Sequence, residues 1–329
     1  MTNYAFGEVY DLIQVLDDQN KKESERDATL RYICALFSEL AYYHIPQWEI
    51  DQKKRIKLVP CESYRSWVKG GGTAIDLNII TRNFDFPGFE ISTPGVVAIG
   101  RMINKKLFIG IRGTAFLYDW RLNVRAKLAA VNTGVRHDHW LLKLITVKNV
   151  RFHSGFAYEA LRLYPLIKKA LNDKNLDPED IYICGHSLGG AVAAILQELL
   201  LDKIKSVYIF AAPRYADLSA YFNRDITPPI QTRRPGDIVP IVPPRFMGYI
   251  DHPHELSTDG TEYFDPSLYS RLFGDLIRWG CFLFGRLKSH NMETYRNEVG
   301  QSAGISGANL ALINVEKIKK EHLGKINHI

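Results

Sequence analysis

The chain has 329 residues, of which 46% are hydrophobic and 24% are charged. This composition is typical of a globular protein in water, and the length suffices to bury a large core. The net charge of +6 comes from 42 Lys and Arg against 36 Asp and Glu, and the surplus is too scattered to predict nucleic-acid binding. It is compatible with an anionic membrane surface, although a solvated basic surface is the simpler explanation.

No targeting or membrane-spanning segment is evident in the sequence. Residues 1–8 lack the basic and apolar blocks of a signal peptide, and no apolar run approaches the ~20 residues that span a bilayer. The four cysteines fit no metal or redox spacing. We therefore expect a reducing, cytoplasmic location, with secretion that bypasses a signal peptide as the open alternative.

The first half of the chain predicts helices followed by strands. Two apolar stripes at helical spacing, separated by a charged break, predict helices within residues 8–45. Residues 46–94 are mixed and predict no regular element. Strands are predicted at Gly95–Met102 and Lys106–Ile111, joined by a tight turn.

The second half alternates between helices and strands. A helix is predicted from about Gly155 to Asn172, and strands at Ser206–Ala212 and Ile230–Arg233. Residues 123–150 are not assigned. Alternation of this kind predicts a mostly parallel sheet with helices on both faces, and the lack of a long linker favours one domain.

The stretch Ile181–Val192 contains Gly-x-Ser-x-Gly between an apolar strand and an apolar helix. That context is typical of a nucleophile elbow, in which a strained turn exposes the serine and glycines supply the missing Cβ atoms. We predict Ser187 as nucleophile, Gly185 and Gly189 as elbow glycines, and the Leu188 N–H as an oxyanion donor. A glycine-rich turn that only packs tightly, or that binds phosphate, is the alternative.

A serine nucleophile needs a base, and the base needs an orienting acid. After such an elbow the chain order is Ser, then Asp or Glu, then His. Asp237 directly follows the predicted strand Ile230–Arg233, where open α/β sheets place functional groups. Asp251, Asp259 and Asp265 lie in a polar, turn-rich stretch for which no strand is predicted.

Several histidines follow Ser187 and are candidate bases. They are His252, His254, His290, His322 and His328. His290 lies between an apolar segment and a new helical turn. His254 is its rival, although the proline between the histidines at 252 and 254 predicts an extended surface loop. The last two histidines lie in a basic tail that we expect to be mobile.

In order and spacing these residues resemble the class 3 lipase family, the α/β-hydrolases that include the fungal triacylglycerol lipases. The matching blocks are Ile111–Thr114 with Asp119-Trp120, His153–Phe156, Gly185–Gly190, Ala211–Arg214, Gly236–Pro240, and His290 with Tyr295. The resemblance implies an α/β-hydrolase fold with a mostly parallel central sheet. It implies one domain over residues 1–329, with N-terminal helices at 8–45, a core at about 90–300 and a basic tail at about 300–329.

Carried over residue by residue, the resemblance implies Ser187 as nucleophile, Asp237 as acid and His290 as base. It implies Thr114 as the second oxyanion residue, beside the Leu188 N–H.

The family also has a mobile lid after this threonine. The corresponding apolar lid candidates here are Phe116, Leu117, Trp120 and Leu122. An ordinary core-packed helix is the alternative for them. Residues 255–287 carry a second apolar stripe with interspersed arginines, which predicts either a membrane-interface segment or a core helix.

These features together favour a serine carboxylic ester hydrolase that acts on acyl lipids, as a lipase, esterase or phospholipase. Its expected partners are an acyl-lipid ester and, peripherally, a lipid surface, and it needs no metal or organic cofactor. The alternatives are a catalytically idle lipase-like domain used for interaction or signalling, and a serine peptidase.

Overall fold

The computed structural model describes residues 4–46, 49, 62–72, 86–113, 128–131, 150–200, 204–221, 227–263, 289–316 and 320. The α-helices in these ranges are α1 (Val9–Asp17), α2 (Glu23–Leu40), α3 (Glu62–Lys69), α4 (Ser154–Asp173), α5 (Leu188–Leu199) and α6 (Met292–Ser302). The strands are β1 (Gly88–Ser92), β2 (Val97–Ile103), β3 (Lys106–Arg112), β4 (Leu128–Val131), β5 (Val150–His153), β6 (Asp180–His186), β7 (Ile204–Phe210), β8 (Ile230–Arg233) and β9 (Glu255–Ser257).

The central sheet has seven strands in the order β1-β2-β3-β6-β7-β8-β9. The first three strands pair antiparallel, whereas β3, β6, β7, β8 and β9 all run parallel. Strands β4 and β5 form a separate antiparallel pair. The parallel strands end at the same edge of the sheet, so the loops after β6 and β8 lie on one side of the molecule.

Both faces of this sheet are buried, because strand side chains alternate between two apolar layers. In β6, Ile181 and Ile183 pack with α4 and α5, while Tyr182 and Cys184 pack with α1, α2 and α6. The predicted mostly parallel sheet with helices on both faces is therefore confirmed. Of the helices in the described part of the chain, none is long and apolar enough to cross a membrane.

Helix α2 is anchored by a buried ion pair to a distant part of the chain. Glu39, in its last turn, contacts Arg296 of α6, and both side chains are fully buried. Arg296 also donates to the carbonyl oxygens of Ala308 (2.7 Å) and Leu310 (3.0 Å). Each nitrogen of the guanidinium thus donates to a protein oxygen, and the side chain ties α2 to α6, two of the helices that cover one face of the sheet.

Two strands of the central sheet were not predicted from the sequence. Strand β1 lies within the mixed residues 46–94, and β9 lies within the polar stretch where no strand was expected. Asp259 lies two residues after β9, so the expectation that no strand precedes Asp259 was wrong. β9 has 3 residues, all half-buried, which is too short to show an alternating pattern.

Some predictions fall on residues outside the described ranges. They include the lid candidates, most of residues 123–150, residues 264–287 of the second apolar stripe, and the tail from 321 onward. Cys61 and Cys281 also lie outside these ranges. Cys34 and Cys184 are buried free thiols.

The variant Glu39→Gln is expected to destabilise the protein strongly. It keeps the side-chain shape but leaves the Arg296 guanidinium buried without its carboxylate, which costs about 3–5 kcal/mol in such pairs. Urea unfolding followed by tryptophan fluorescence measures the change. Glu25→Gln is the control on the same helix, because its partner Lys21 is solvent-exposed. Equal stability of the two variants would contradict the anchoring role of the pair.

Candidate active site

Ser187 lies in a sharp turn between β6 and α5 and has an unusual backbone conformation. Its φ is 60° and its ψ is −133°, a region that costs a non-glycine residue about 1–3 kcal/mol. The turn is held by backbone bonds: Ser187 N–H donates to the Phe210 carbonyl at 2.9 Å, and its own carbonyl accepts from Gly190 N–H at 2.9 Å. The surrounding backbone therefore compensates for the strain at the serine.

Glycines allow the elbow to pack against two strands. A Cβ on Gly189 would lie 2.2 Å from the Ile111 carbonyl oxygen of β3, and one on Gly185 would lie 2.5 Å from the Gly189 carbonyl oxygen. Any side chain at these positions would force the start of α5 away from the sheet. Close approach of helix and sheet is thus the physical reason for glycine on each side of Ser187.

Asp237 lies in the loop after β8, and three donors surround its carboxylate. Oδ2 accepts from His290 Nδ1 at 2.9 Å and from the Tyr295 hydroxyl at 2.8 Å, while Oδ1 accepts from Val239 N–H at 3.0 Å. Asp237 and His290 are both buried. Since a carboxylate only accepts, the imidazole carries its proton on Nδ1, and Nε2 is left to accept one.

The environment keeps Asp237 ionised. Burial alone would raise its pKa, but the His290 imidazole and the bonds from Val239 and Tyr295 outweigh burial and hold the pKa below its ordinary value. The donor hydroxyl is itself fixed, because Tyr295 accepts from Arg234 N–H at 2.9 Å. The acid is therefore a charged, oriented acceptor.

His290 lies just before α6, beside the elbow. Its ring packs on that of His186, the residue preceding Ser187, with centroids 4.4 Å apart. Its Nε2 is buried and has no hydrogen-bond partner among the described residues. The structure therefore brings the imidazole, the acid and the elbow together at the edge where the parallel strands end.

The predicted oxyanion residues are only partly described. Leu188 is the first residue of α5, so its N–H is one of the amides that a helix leaves free at its N-terminus. Gly113 packs closely against Leu188, because a Cβ on Gly113 would lie 2.6 Å from Leu188 Cβ. Thr114 and the lid candidates follow Gly113 and lie outside the described residues.

The rival acid and base have other partners. His254 is exposed, and its N–H donates to the His252 ring at 3.2 Å. Asp251 accepts from Arg214 and Arg245, each at 2.8 Å. Arg214 also donates to the carbonyls of Ile241 and Pro243, so this ion-pair group fixes the loop that follows Asp237.

Sequence reasoning gave no role to Tyr42 or His186. The Tyr42 hydroxyl lies 2.6 Å from His186 Nδ1, and the two residues are 144 positions apart. The only available signal was the position of Tyr42 at the end of a predicted helix. Within the described residues, no group of His, Cys, Asp and Glu side chains is arranged to hold a metal ion.

The sequence profile of the family described as Lipase (class 3) matches residues 108–247. This segment includes β3, the elbow and Asp237. Residues 108–247 belong to the class 3 lipases. The match to this family supports a carboxylic ester hydrolase, and together with the sheet order it confirms the predicted α/β-hydrolase fold. His290 and helix α2 lie outside the part that matches the class 3 lipases.

Solved lipase structures resemble the protein at low sequence identity. The lipase of Rhizopus microsporus var. chinensis is 20% identical, with a TM-score of 0.40 over 65% of this chain and 75% of that one. Lip2 lipase of Yarrowia lipolytica is 19% identical, with a TM-score of 0.47 over 73% and 80%. The mono- and diacylglycerol lipase of Aspergillus oryzae is 20% identical, with a TM-score of 0.44 over 72% and 80%. No curated protein matches the sequence.

Asp237→Asn is expected to destabilise the protein by about 3 kcal/mol at pH 5, because three donors lose a buried charged acceptor. A carboxyl whose pKa is lowered on folding stabilises the folded state above its unfolded pKa of about 3.9 and loses that contribution as pH falls. The stability gap between wild type and variant should therefore narrow from pH 5 to pH 3 in urea unfolding. Glu262→Gln, at an exposed side chain, is the control. A stability difference that stays constant or widens as the pH falls would contradict the assignment of Asp237 as a buried, ionised acceptor.

Proposed function

We propose that the protein hydrolyses the esters of acyl lipids through an acyl-enzyme formed on Ser187. The observation that carries the proposal is the buried 2.9 Å hydrogen bond from His290 to Asp237, made beside the residue that precedes the elbow serine. An imidazole with Nδ1 held by a carboxylate and Nε2 unpaired within the described residues has the form of a general base.

In the first half of the reaction, Ser187 Oγ attacks the ester carbonyl carbon and its proton passes to His290 Nε2. The carbon becomes tetrahedral and its oxygen takes the negative charge. The imidazolium is stabilised by the Asp237 carboxylate. When the intermediate collapses, the carbon–oxygen bond to the alcohol breaks, and His290 returns its proton to the leaving alkoxide.

In the second half, water replaces the alcohol. His290 takes a proton from the water as it attacks the acyl carbon, and a second tetrahedral intermediate forms. Its collapse releases the fatty acid and returns the proton to Ser187. In all of these reaction steps the protein contributes only side chains and backbone amides. The proposed chemistry therefore requires no metal or organic cofactor.

The oxyanion needs donors that are already oriented, because reorienting them during the reaction would cost free energy. We assign the N–H groups of Leu188 and Thr114 to this role, each worth about 3–4 kcal/mol in comparable sites. The close contact between Gly113 and Leu188 supports the pairing. The lid formed by residues 115–123, contact with a lipid surface and the reducing location stay predictions.

Ser187→Ala is expected to lower turnover of 4-nitrophenyl esters by at least about a thousandfold, since the nucleophile is lost. Esters of graded acyl length measure both the activity and the preferred chain. Ser206→Ala, at a half-buried serine near the start of β7 and outside the site, is the matched control and should retain the wild-type rate. Equal rates for wild type and Ser187→Ala would refute the proposed mechanism. A wild-type protein without any rate would favour the idle lipase-like domain.

His290→Ala is expected to abolish turnover, whereas His254→Ala should retain it, because only the first removes the imidazole bound to Asp237. Both variants are compared by kcat on the preferred ester and by covalent labelling with a fluorophosphonate. Slow labelling of His290→Ala with normal labelling of His254→Ala is the expected pattern. The opposite pattern would show that the base was wrongly assigned.

A further inference from the structure

A buried aromatic group lies beneath the imidazole of His290. The His186 ring packs on it, with centroids 4.4 Å apart and planes tilted by 30°. Tyr42 and Tyr295 contact the other sides of His186, with centroids at 5.7 Å and 5.9 Å. The proposed base therefore rests on a ring that is itself enclosed by two tyrosines.

One hydrogen bond fixes the orientation of this ring. The Tyr42 hydroxyl lies 2.6 Å from His186 Nδ1, and both residues are buried. The other ring nitrogen, Nε2, has no partner in the part of the chain that the structure describes. If the Tyr42 contact were lost, the His186 ring would have no polar contact within those residues to hold its plane.

His186 is uncharged in this environment. Burial, followed by the neighbouring His290, lowers the pKa of His186 well below its ordinary value. This matters because His290 becomes an imidazolium during the reaction. A cation packed on its face would oppose that charge, whereas a neutral ring does not.

Tyr42 is held in place from several directions. It lies two residues after the end of α2, and its N–H donates to the Glu39 carbonyl at 2.9 Å. The preceding carbonyl, of Ala41, accepts from Arg112 Nε of β3 at 3.0 Å. Arg112 is paired in turn with the buried Glu49. The hydroxyl of Tyr42 therefore has a fixed position relative to β3 and β6.

We propose that Tyr42 and His186 are positioning residues for His290: the Tyr42 hydroxyl orients the His186 ring, and this ring sets the plane of the catalytic imidazole. The inference rests on the proposed role of His290 as base. The bond to Asp237 fixes one nitrogen of His290 but leaves rotation about that bond open. The packed face of His186 removes that freedom and fixes the plane in which Nε2 lies.

The first test is Tyr42→Phe in the full-length protein. This variant keeps the ring and removes only the hydroxyl. We expect kcat to fall between about tenfold and a hundredfold, as for small displacements of a reacting group, with KM unchanged. Tyr208→Phe is the matched control, because its buried hydroxyl also bonds to α2, at Asp27 (2.6 Å), but lies away from His290. It should retain the wild-type kcat.

The second test measures how firmly the His290 imidazole is held and does not require turnover. The proton on His290 Nδ1, bound to Asp237, should give a far-downfield proton NMR signal in wild type and in Tyr208→Phe. In Tyr42→Phe and in His186→Ala it should broaden or disappear, because the loosened imidazole exchanges this proton with water. Restoring the ring without the hydrogen bond, in His186→Phe, should recover part of the signal and part of kcat relative to His186→Ala.

The outcomes separate the two proposals. An unchanged signal and an unchanged kcat in Tyr42→Phe would overturn the positioning role, as would equal losses of kcat in Tyr42→Phe and Tyr208→Phe. If Tyr42→Phe does not fold, His186→Phe against His186→Ala decides by the same two measurements. An inactive wild type in which the signal still depends on Tyr42 would refute the proposed function and leave the positioning role intact.

Discussion

The strained backbone of Ser187 is the constraint on which the rest of this structure depends. A serine at φ 60° is unfavourable by itself, so its neighbours must hold it there. Two glycines let α5 approach β3 and β6 to contact distance, and β7 supplies the acceptor for the serine N–H. Central strands, buried on both faces, give that turn a rigid support.

The helices that cover one face of the sheet also help to hold the site in place. Helix α2 contributes no group to the proposed chemistry. Its last turn and the two residues after it nevertheless contact β3 through Arg112, His186 through Tyr42, and α6 through Glu39. Each contact is polar and buried, so each has a narrow range of geometries. Through these polar contacts the helix fixes the positions of residues around the site. The packing of its apolar stripe alone would not fix them.

Local patterns in the sequence predicted much of the fold. The bounds of β8 and those of α4 to within one residue follow from periodicity, and the elbow follows from Gly-x-Ser-x-Gly in its strand–helix context. β1 and β9 were missed because short, half-buried edge strands carry little pattern.

The partner of Asp237 is 53 residues away, so spacing alone left His254 open. The hydrogen bond between Tyr42 and His186 spans 144 residues and has no local signal. That all 329 residues form one domain stays a prediction.

The ion pair of Glu39 with Arg296 joins residues 257 positions apart. During synthesis α2 therefore leaves the ribosome long before Arg296, the residue that pairs with the Glu39 carboxylate, has been made. Contacts of such long range form late, because the intervening chain must close a large loop first. His290, the proposed base, is also synthesised late, because it lies just before α6, the helix that carries Arg296. A nascent chain thus carries Ser187, the proposed nucleophile, well before it carries His290, the residue proposed to activate it.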